Sequence, residues 1–360
     1  MKAALISLGS VSSKWVSKAM KNYFDKVDDI NLKDLEISLG LKTPEVLYKG
    51  KPFGSYDCTY AKGSFRYAPL LDSITVALHR NTYMPIQPGA FITGNNKLLT
   101  HLQLQEKNIP MPITYLASTS NSAKKVLERI SYPIVMKFPE GTQGKGVMFA
   151  DSYASASSVL DALTVLKQPL IIQEYIETGE TDIRAIVVDD RVVASMKRKA
   201  VYGEKRANIH AGGEGEAHVL DETAKKIAVQ TAKAVGAEVC AVDLLESVKG
   251  PLVIEVNLSP GLQGITKATK IDVADKIARF LFEKTKEKSG ASKKEETTKI
   301  FREAGIGKPE KVEEILTELD FRGNRILLPE LVTKLTKFKD GKEYVVKAKE
   351  GILEIKRASE

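Results

Sequence analysis

A buried strand that runs straight into a glycine-rich loop constrains this chain more than any other stretch. Pro133-Ile134-Val135-Met136-Lys137-Phe138 is an apolar run closed by a lysine, and Gly141, Gly144 and Gly146 follow within a few residues. Glycine lets backbone approach a ligand without a Cβ clash, so such a loop can form a nest of N–H groups over a polyphosphate. It is not a Walker loop, because no Gly-Lys-Ser/Thr opens a helix. Taken alone, the glycines are also compatible with a plain hairpin turn.

The flanking sequence supplies the frame for that loop. Residues 1–93 alternate short apolar strands (Leu5-Ile6-Ser7-Leu8, Val46-Leu47-Tyr48) with helical stretches such as 14–24, the pattern of a small α/β domain with a mainly parallel sheet. Asn96 to Lys107 predicts a helix with Leu98, Leu99, Leu102 and Leu104 on its apolar side, stopped by Asn108 and Pro110. Buried strands follow at 133–138 and 170–176, then a hairpin of 183–188 and 191–199 turning at Asp189-Asp190. A helix over 222–235, strands over 239–245 and 252–256, and a closing helix over 271–286 complete this region. Residues 287–298 carry no large apolar side chain and read as a linker. Beyond lies a separate unit, 299–360, with a helix over 313–319, an extended segment from Arg325 to Pro329, and a hairpin of 342–347 and 352–356. No apolar run approaches the ~20 residues needed to span a bilayer, and the opening residues read as a strand rather than a leader. With Cys58 and Cys240 the only cysteines, neither a disulfide framework nor a zinc site is expected, and a cytoplasmic location fits. The net charge of +8 comes largely from lysine-rich stretches with interleaved acids, which read mainly as solvated faces.

Two further groups of residues carry chemistry. Glu255 and Asn257 sit two apart on one strand, hence on one face, and Asp243 can join them from the preceding strand. Three oxygen donors of this kind suit Mg²⁺, which takes its other ligands from water and phosphates; hydrogen-bonded polar groups at a strand end are the plainer alternative. The basic set Arg184, Arg198, Lys199 and Arg206, with Asn208 nearby, offers the positive charge and bidentate donors that phosphoryl transfer needs.

The order Lys97, Lys137, Gly141-Thr142-Gln143-Gly144-Lys145-Gly146, Gln173-Glu174-Tyr175-Ile176, Asp182-Ile183-Arg184, Arg206-Ala207-Asn208, Asp243 and Glu255-Val256-Asn257-Leu258-Ser259-Pro260-Gly261 resembles the RimK-type ATP-grasp glutamate ligases over residues 94–286. The resemblance implies an ATP-grasp fold with lobes of 94–176 and 177–286, preceded by the small α/β domain and followed by the hairpin-containing appendage. Carried over by position, Lys97 and Lys137 would contact nucleotide phosphates under the loop of Gly141, Gln143, Gly144 and Gly146. Glu174, Tyr175 and Ile176 would line the adenine, and Glu177 to Asp182 the ribose side. Asp243, Glu255 and Asn257 would hold two Mg²⁺ ions, with Mn²⁺ as an alternative. Arg184, Arg198, Arg206 and Asn208 would surround the γ-phosphate and the reacting carboxylate.

Two positions depart from the family pattern: Lys199 stands where a second arginine is often seen, and Ala211 replaces an arginine in His210-Ala211-Gly212-Gly213. Both bear on acceptor choice rather than on phosphate chemistry. The implied activity joins a carboxylate, activated by ATP as an acyl phosphate, to an amino acid, with glutamate favoured. The acceptor is a protein C-terminus or a glutamyl-tailed small molecule. The alternative is an ATP-binding regulatory protein that keeps the body without turnover. The 299–360 unit vaguely resembles the swapped-hairpin modules of AbrB-type transcription factors. A homo-oligomer is therefore expected, with nucleic acid a lesser candidate partner and a membrane none.

Overall fold

The computed structural model of the protein describes all residues except 41–42, 118, 140, 142–145, 165–168, 201–213, 304–319, 324, 329–331, 333, 335, 351 and 358–360. The chain falls into two compact units, 1–294 and 295–360.

The first unit opens with β1 (Lys2–Ser7), α1 (Val11–Met20), β2 (Lys26–Asn31), β3 (Leu35–Ser38), β4 (Glu45–Tyr48), β5 (Lys51–Pro52) and β6 (Cys58–Ala61). Ala3 to Ile6 are fully buried on both faces, as a central parallel strand requires. β1 accordingly lies between β2 and β6, parallel to each. Ser10 starts α1 by accepting a bond from the Ser13 N–H, satisfying one of the donors a helix leaves open. The Val46-Leu47-Tyr48 strand is not part of this parallel sheet. It pairs antiparallel in a second sheet, β3-β4-β5, closed by Lys49 and Gly50, both at positive φ, in the manner of a tight hairpin turn.

Next come α2 (Ala68–Leu78), α3 (Ala90–Asn95) and α4 (Lys97–Glu106). Helix α3 straddles the expected domain boundary at 93/94. Its Gly94 lies so close to Leu258 that a Cβ would stand 2.9 Å from the leucine side chain. Asn96 caps α4 through the N–H groups of Leu98 and Leu99, and Asn108, at φ 53, ends it. The buried side of α4 is Thr100, His101 and Leu104 rather than the leucine stripe, for Leu102 faces solvent.

A first lobe follows: β7 (Thr114–Ala117), α5 (Ser120–Leu127), β8 (Ile134–Lys137), β9 (Val147–Ala150), α6 (Tyr153–Thr164) and β10 (Leu170–Glu174). Its antiparallel sheet runs β7-β10-β8-β9. The second lobe holds β11 (Thr181–Val188), β12 (Arg191–Lys199), β13 (Glu214–Ala217), α7 (Glu222–Ala234), β14 (Val239–Ser247) and β15 (Gly250–Asn257), in the order β13-β12-β11-β14-β15. The β11–β12 hairpin turns at Asp189, at φ 61. Two cores result. Ile134, Met136, Leu127, Leu170 and Ile172 belong to a small core of the first lobe alone. The N-terminal sheet and the second lobe share the larger one, from Leu5 and Phe91 to Ile186 and Val242. The first lobe thus has the packing of a separate flap.

After α8 (Gln263–Thr269), helix α9 runs Val273–Glu303 without a break. The expected linker at 287–298 is therefore helical. Its Lys, Glu and Ala residues are good helix formers and the stretch contains no proline, so a polar run of this composition can extend a helix. The second unit contains two hairpins, β16 (Asp320–Arg322) with β17 (Arg325–Leu327) and β18 (Tyr344–Lys349) with β19 (Ile352–Arg357). The register of the latter places Tyr344, Val346, Ala348, Leu353 and Ile355 on one face. The expected helix over 313–319 lies outside the described residues.

Candidate active site

Strand pairing in the second lobe builds a polar stripe across one sheet face. Asp182 on β11 pairs in register with Arg198 on β12, Arg184 with Asp243 on β14, and Asp243 with Glu255 on β15. Residues directly opposite share a face, so these side chains, with Asn257 two positions beyond Glu255, line up together. Arg184 binds Asp243 through two bonds of 2.8 and 2.7 Å. Arg198 binds Asp182 through bonds of 2.5 and 2.7 Å, and also reaches Asp243 at 2.9 Å. Arg198 and Asp243 are 5% and 3% exposed, so this is a buried alternation of charges. Burial pushes the Asp243 carboxyl up, but the Arg184 and Arg198 guanidiniums outweigh it and hold the group at about 2. Asp182 goes the other way, because burial outweighs its bond to Arg198 and raises it to about 6.

These contacts change the reading of three residues. The described bonds of Arg184 and Arg198 engage Nε and Nη2 of each with carboxylates. Their charge is therefore largely balanced by Asp182 and Asp243. Asp182 is engaged by Arg198 rather than left open beside a sugar. Arg206 and Asn208 lie outside the described residues, as does His210.

Among the described residues, further positive charge comes from Lys97 and Lys137. Lys97 opens α4 and its Nζ donates to the Gly141 carbonyl at 2.9 Å, while its own N–H donates to Pro139. Lys137, 7% exposed at the end of β8, donates to Gln173 Oε1 at 2.8 Å. Burial pulls its ammonium down to about 8, the neighbouring Lys97 charge adds to this, and Glu255 opposes it. Glu255 of the second lobe is thus within electrostatic reach of Lys137 in the first. The glycine loop is described only at its ends, Gly141 at φ 137 and Gly146 at φ 77; Gln143 and Gly144 lie outside the described residues. A Cβ at Gly146 would stand 2.8 Å from the Phe138 ring, so only glycine fits there.

Two residues that sequence reasoning left out of the site hold Lys137 in place. His101 Nδ1 lies 2.5 Å from the Lys97 carbonyl, which can only accept, so this nitrogen carries the proton. Its Nε2 then accepts from Gln173 Nε2 at 3.2 Å. Gln173 also donates to Thr114 Oγ1 at 2.7 Å, which leaves its carbonyl oxygen turned to Lys137. Burial first, then the Lys137 and Lys97 charges, hold His101 at about 4, hence neutral. The legible signal was a glutamine closing the apolar run Leu170-Ile171-Ile172.

The strand end expected at the adenine is tied to the chain before β7. The Glu174 N–H donates to the Ile113 carbonyl at 3.0 Å, and the Glu174 side chain accepts the Ile113 N–H at 2.8 Å. Tyr175 packs edge-on against Phe149 with ring centroids 6.0 Å apart. Ile176 is half-buried, and Glu177 is exposed and accepts the Gly179 N–H.

For a divalent cation the donor set is two carboxylates and an amide. Among the described residues no three His, Cys, Asp or Glu side chains converge as a metal cage. Glu255 is half-buried and has no hydrogen-bond or ion-pair partner among the described residues. Among the described residues, Asn257 Oδ1 accepts only the Ser259 N–H, at 2.9 Å. An orphan carboxylate opposite a second one, with an amide oxygen beside it, fits a hard cation that draws its other ligands from water and phosphate.

A family model described as the RimK-like ATP-grasp domain matches residues 94–281. A relative from Vibrio cholerae serotype O1 (strain O395), named probable alpha-L-glutamate ligase, is 36% identical over 305 residues, covering 82% of this chain and 99% of the relative. One of the same name from Legionella pneumophila (strain Corby) is 44% identical over 258 residues, covering 69% and 84%. Among solved structures, the ATP-grasp ligase PsnB complexed with minimal precursor, Mg and ADP superposes with a TM-score of 0.62 at 15% identity, over 79% of this chain and 98% of PsnB. That last likeness is one of fold.

Proposed function

The chain belongs to the RimK-like ATP-grasp family and is a C–N bond-forming ligase; on that premise we propose that it converts a substrate carboxylate to an acyl phosphate with ATP and joins it to an amino acid, L-glutamate first. The observation that carries this reading is the strand pairing that sets Asp243 opposite Glu255, with Asn257 on the same face and Glu255 without a described partner, a donor set that suits the cation of a triphosphate.

In this reading Lys97 and Lys137 hold the phosphates, and His101 and Gln173 fix the Lys137 ammonium so that little reorganisation is needed when the nucleotide arrives. Asp243, Glu255 and Asn257 would hold Mg²⁺, two ions in this reading, and the metal when bound would supply neutralising charge to the phosphoryl group. Arg184 and Arg198 keep Asp243 ionised. A carboxylate oxygen of the acceptor attacks the γ-phosphorus and ADP leaves. The amine nitrogen of the amino acid then attacks the acyl carbon, phosphate leaves, and the ammonium proton is lost to form the amide. No covalent bond to the protein forms, so orientation and charge placement do the catalysis. The acceptor is a protein C-terminus or a glutamyl-tailed small molecule.

The direct test is ADP release from Mg-ATP across a panel of amino acids, with and without a glutamate-ended peptide. Turnover that depends on both supports the reading, with glutamate giving the fastest rate. ATP hydrolysis indifferent to every amino acid would leave an ATP-binding protein without ligase activity.

Lys137→Ala should weaken binding of a non-hydrolysable ATP analogue by at least about tenfold, since a bond to a charged group contributes roughly 1.5–3 kcal/mol. The wild-type affinity should also fall as pH rises through about 8, because the lowered Lys137 ammonium loses its charge there. Calorimetric titration over pH 6–9 checks both. An unchanged dissociation constant in the variant would place the phosphates elsewhere.

A further inference from the structure

The parallel sheet of the N-terminal region carries a buried cation that the mechanism above does not use. Its strand order, β2-β1-β6, reverses direction at β1, and open α/β sheets bind ligands outside the carboxyl ends of their strands at such a point. Lys62 follows Ala61, the last residue of β6, and is 3% exposed. Its one polar side-chain contact among the described residues is with the Pro260 carbonyl, at a long 3.5 Å. Its Nζ stands 5.6 Å from the centre of the Tyr60 ring, and the Tyr60 hydroxyl, fully buried, has no partner among the described residues. No described carboxylate pairs with Lys62.

The chain that covers this edge comes from the candidate active site. Ser259 Oγ accepts the Gly63 N–H at 2.9 Å, and the Leu262 N–H donates to Ser12 Oγ at 2.8 Å. The Ser259 N–H in turn bonds Asn257 Oδ1. Lys62 therefore lies under the loop that directly continues the strand carrying Glu255 and Asn257. A Cβ at Gly261 in that loop would meet nothing within 4 Å, so there is open space beside it.

An ammonium buried without a counter-charge is costly, and an anion that completes it recovers much of that cost. Burial alone lowers Lys62 to about 8, so at neutral pH most of it keeps its charge. The Lys97 and Lys137 ammoniums serve the nucleotide, which leaves the carboxylates of the other two substrates without an assigned cation among the described residues. We propose that Lys62 is a binding residue for a substrate carboxylate, so that the N-terminal sheet forms one wall of the ligation site. This rests on the ligase reading above. The carboxylate has two sources, the amino acid and the acceptor's terminal group.

Calorimetry on the full chain, saturated with Mg²⁺ and a non-hydrolysable ATP analogue, separates them. L-glutamate and a glutamate-ended peptide are titrated in turn into wild type, Lys62→Met and Lys62→Arg. The expected result is at least about a tenfold loss of affinity for one of the two probes in Lys62→Met. Affinity for the ATP analogue should be unchanged, the melting temperature should be unchanged or higher, and Lys62→Arg should restore part of the loss. Loss for glutamate assigns Lys62 to the amino acid, and loss for the peptide assigns it to the acceptor. Unchanged affinity for both probes, or wild type binding neither, overturns the proposal. So does a lowered melting temperature with weakened nucleotide binding, which marks a structural lysine. Turnover of wild type with both probes, assayed separately, tests the ligase reading itself, so the two failures are told apart.

Discussion

Glu255→Gln should cut amino-acid-dependent ADP release by roughly 10²–10³ or more, the usual loss when one preorganised electrostatic group at a reacting centre is removed. The substitution keeps the size and one oxygen of the side chain and removes its charge. Glu255 makes no described hydrogen bond or ion pair, so no partner is stranded and the melting temperature should hold. Its cross-strand neighbour Asp243 is engaged by two arginines, which leaves Glu255 as the principal uncommitted carboxylate for a cation. Raising Mg²⁺ should not restore the rate. Near-normal turnover of Glu255→Gln would remove the metal assignment.

Asp243→Asn should act on folding as well as turnover. Asp243 is the shared anion of Arg184 and Arg198, and the amide would turn an N–H₂ group toward guanidinium donors while removing the charge that balances them. Breaking a buried pair by removing one partner costs about 3–5 kcal/mol, and urea unfolding of the variant should show a loss of that order. The wild-type contribution has a defined pH range. The carboxyl is held at about 2 against an ordinary value near 4, so the pair stabilises at neutral pH and is lost only as pH falls through that lowered value. A variant within about 1 kcal/mol of wild type would mean that Asp182 alone suffices to balance both arginines. Glu255→Gln and Asp243→Asn together separate a carboxylate that serves chemistry alone from one that also holds the sheet.

Much of this was legible in residue order. Lys137 at the end of an apolar strand, and Glu255 and Asn257 two apart on another, are signals that a strand's period of two makes readable without a fold. What was not legible depends on strand register. Asp182 and Arg198 are sixteen positions apart in sequence yet directly opposite in the hairpin, and no local pattern says that one neutralises the other. His101 was hidden for a related reason: the leucines of α4 suggested its buried side, whereas the helix turns His101 inward to meet Gln173. The helical state of 287–298 was not legible, because a missing apolar anchor does not prevent a lysine- and glutamate-rich segment from extending a helix. Lys62 gave only the faint signal of a lysine after the buried strand Cys58–Ala61.

The acyl phosphate is the centre of the account, and oxygen transfer tests it most directly. A glutamate-ended peptide with ¹⁸O in its terminal carboxylate is incubated with the protein, Mg-ATP and L-glutamate, and the products are weighed. The account predicts that the peptide gains a glutamyl residue, that ADP is the nucleotide product, and that one ¹⁸O appears in the released phosphate for each bond formed. Label in AMP instead, or ADP formed with neither a heavier peptide nor labelled phosphate, would contradict it.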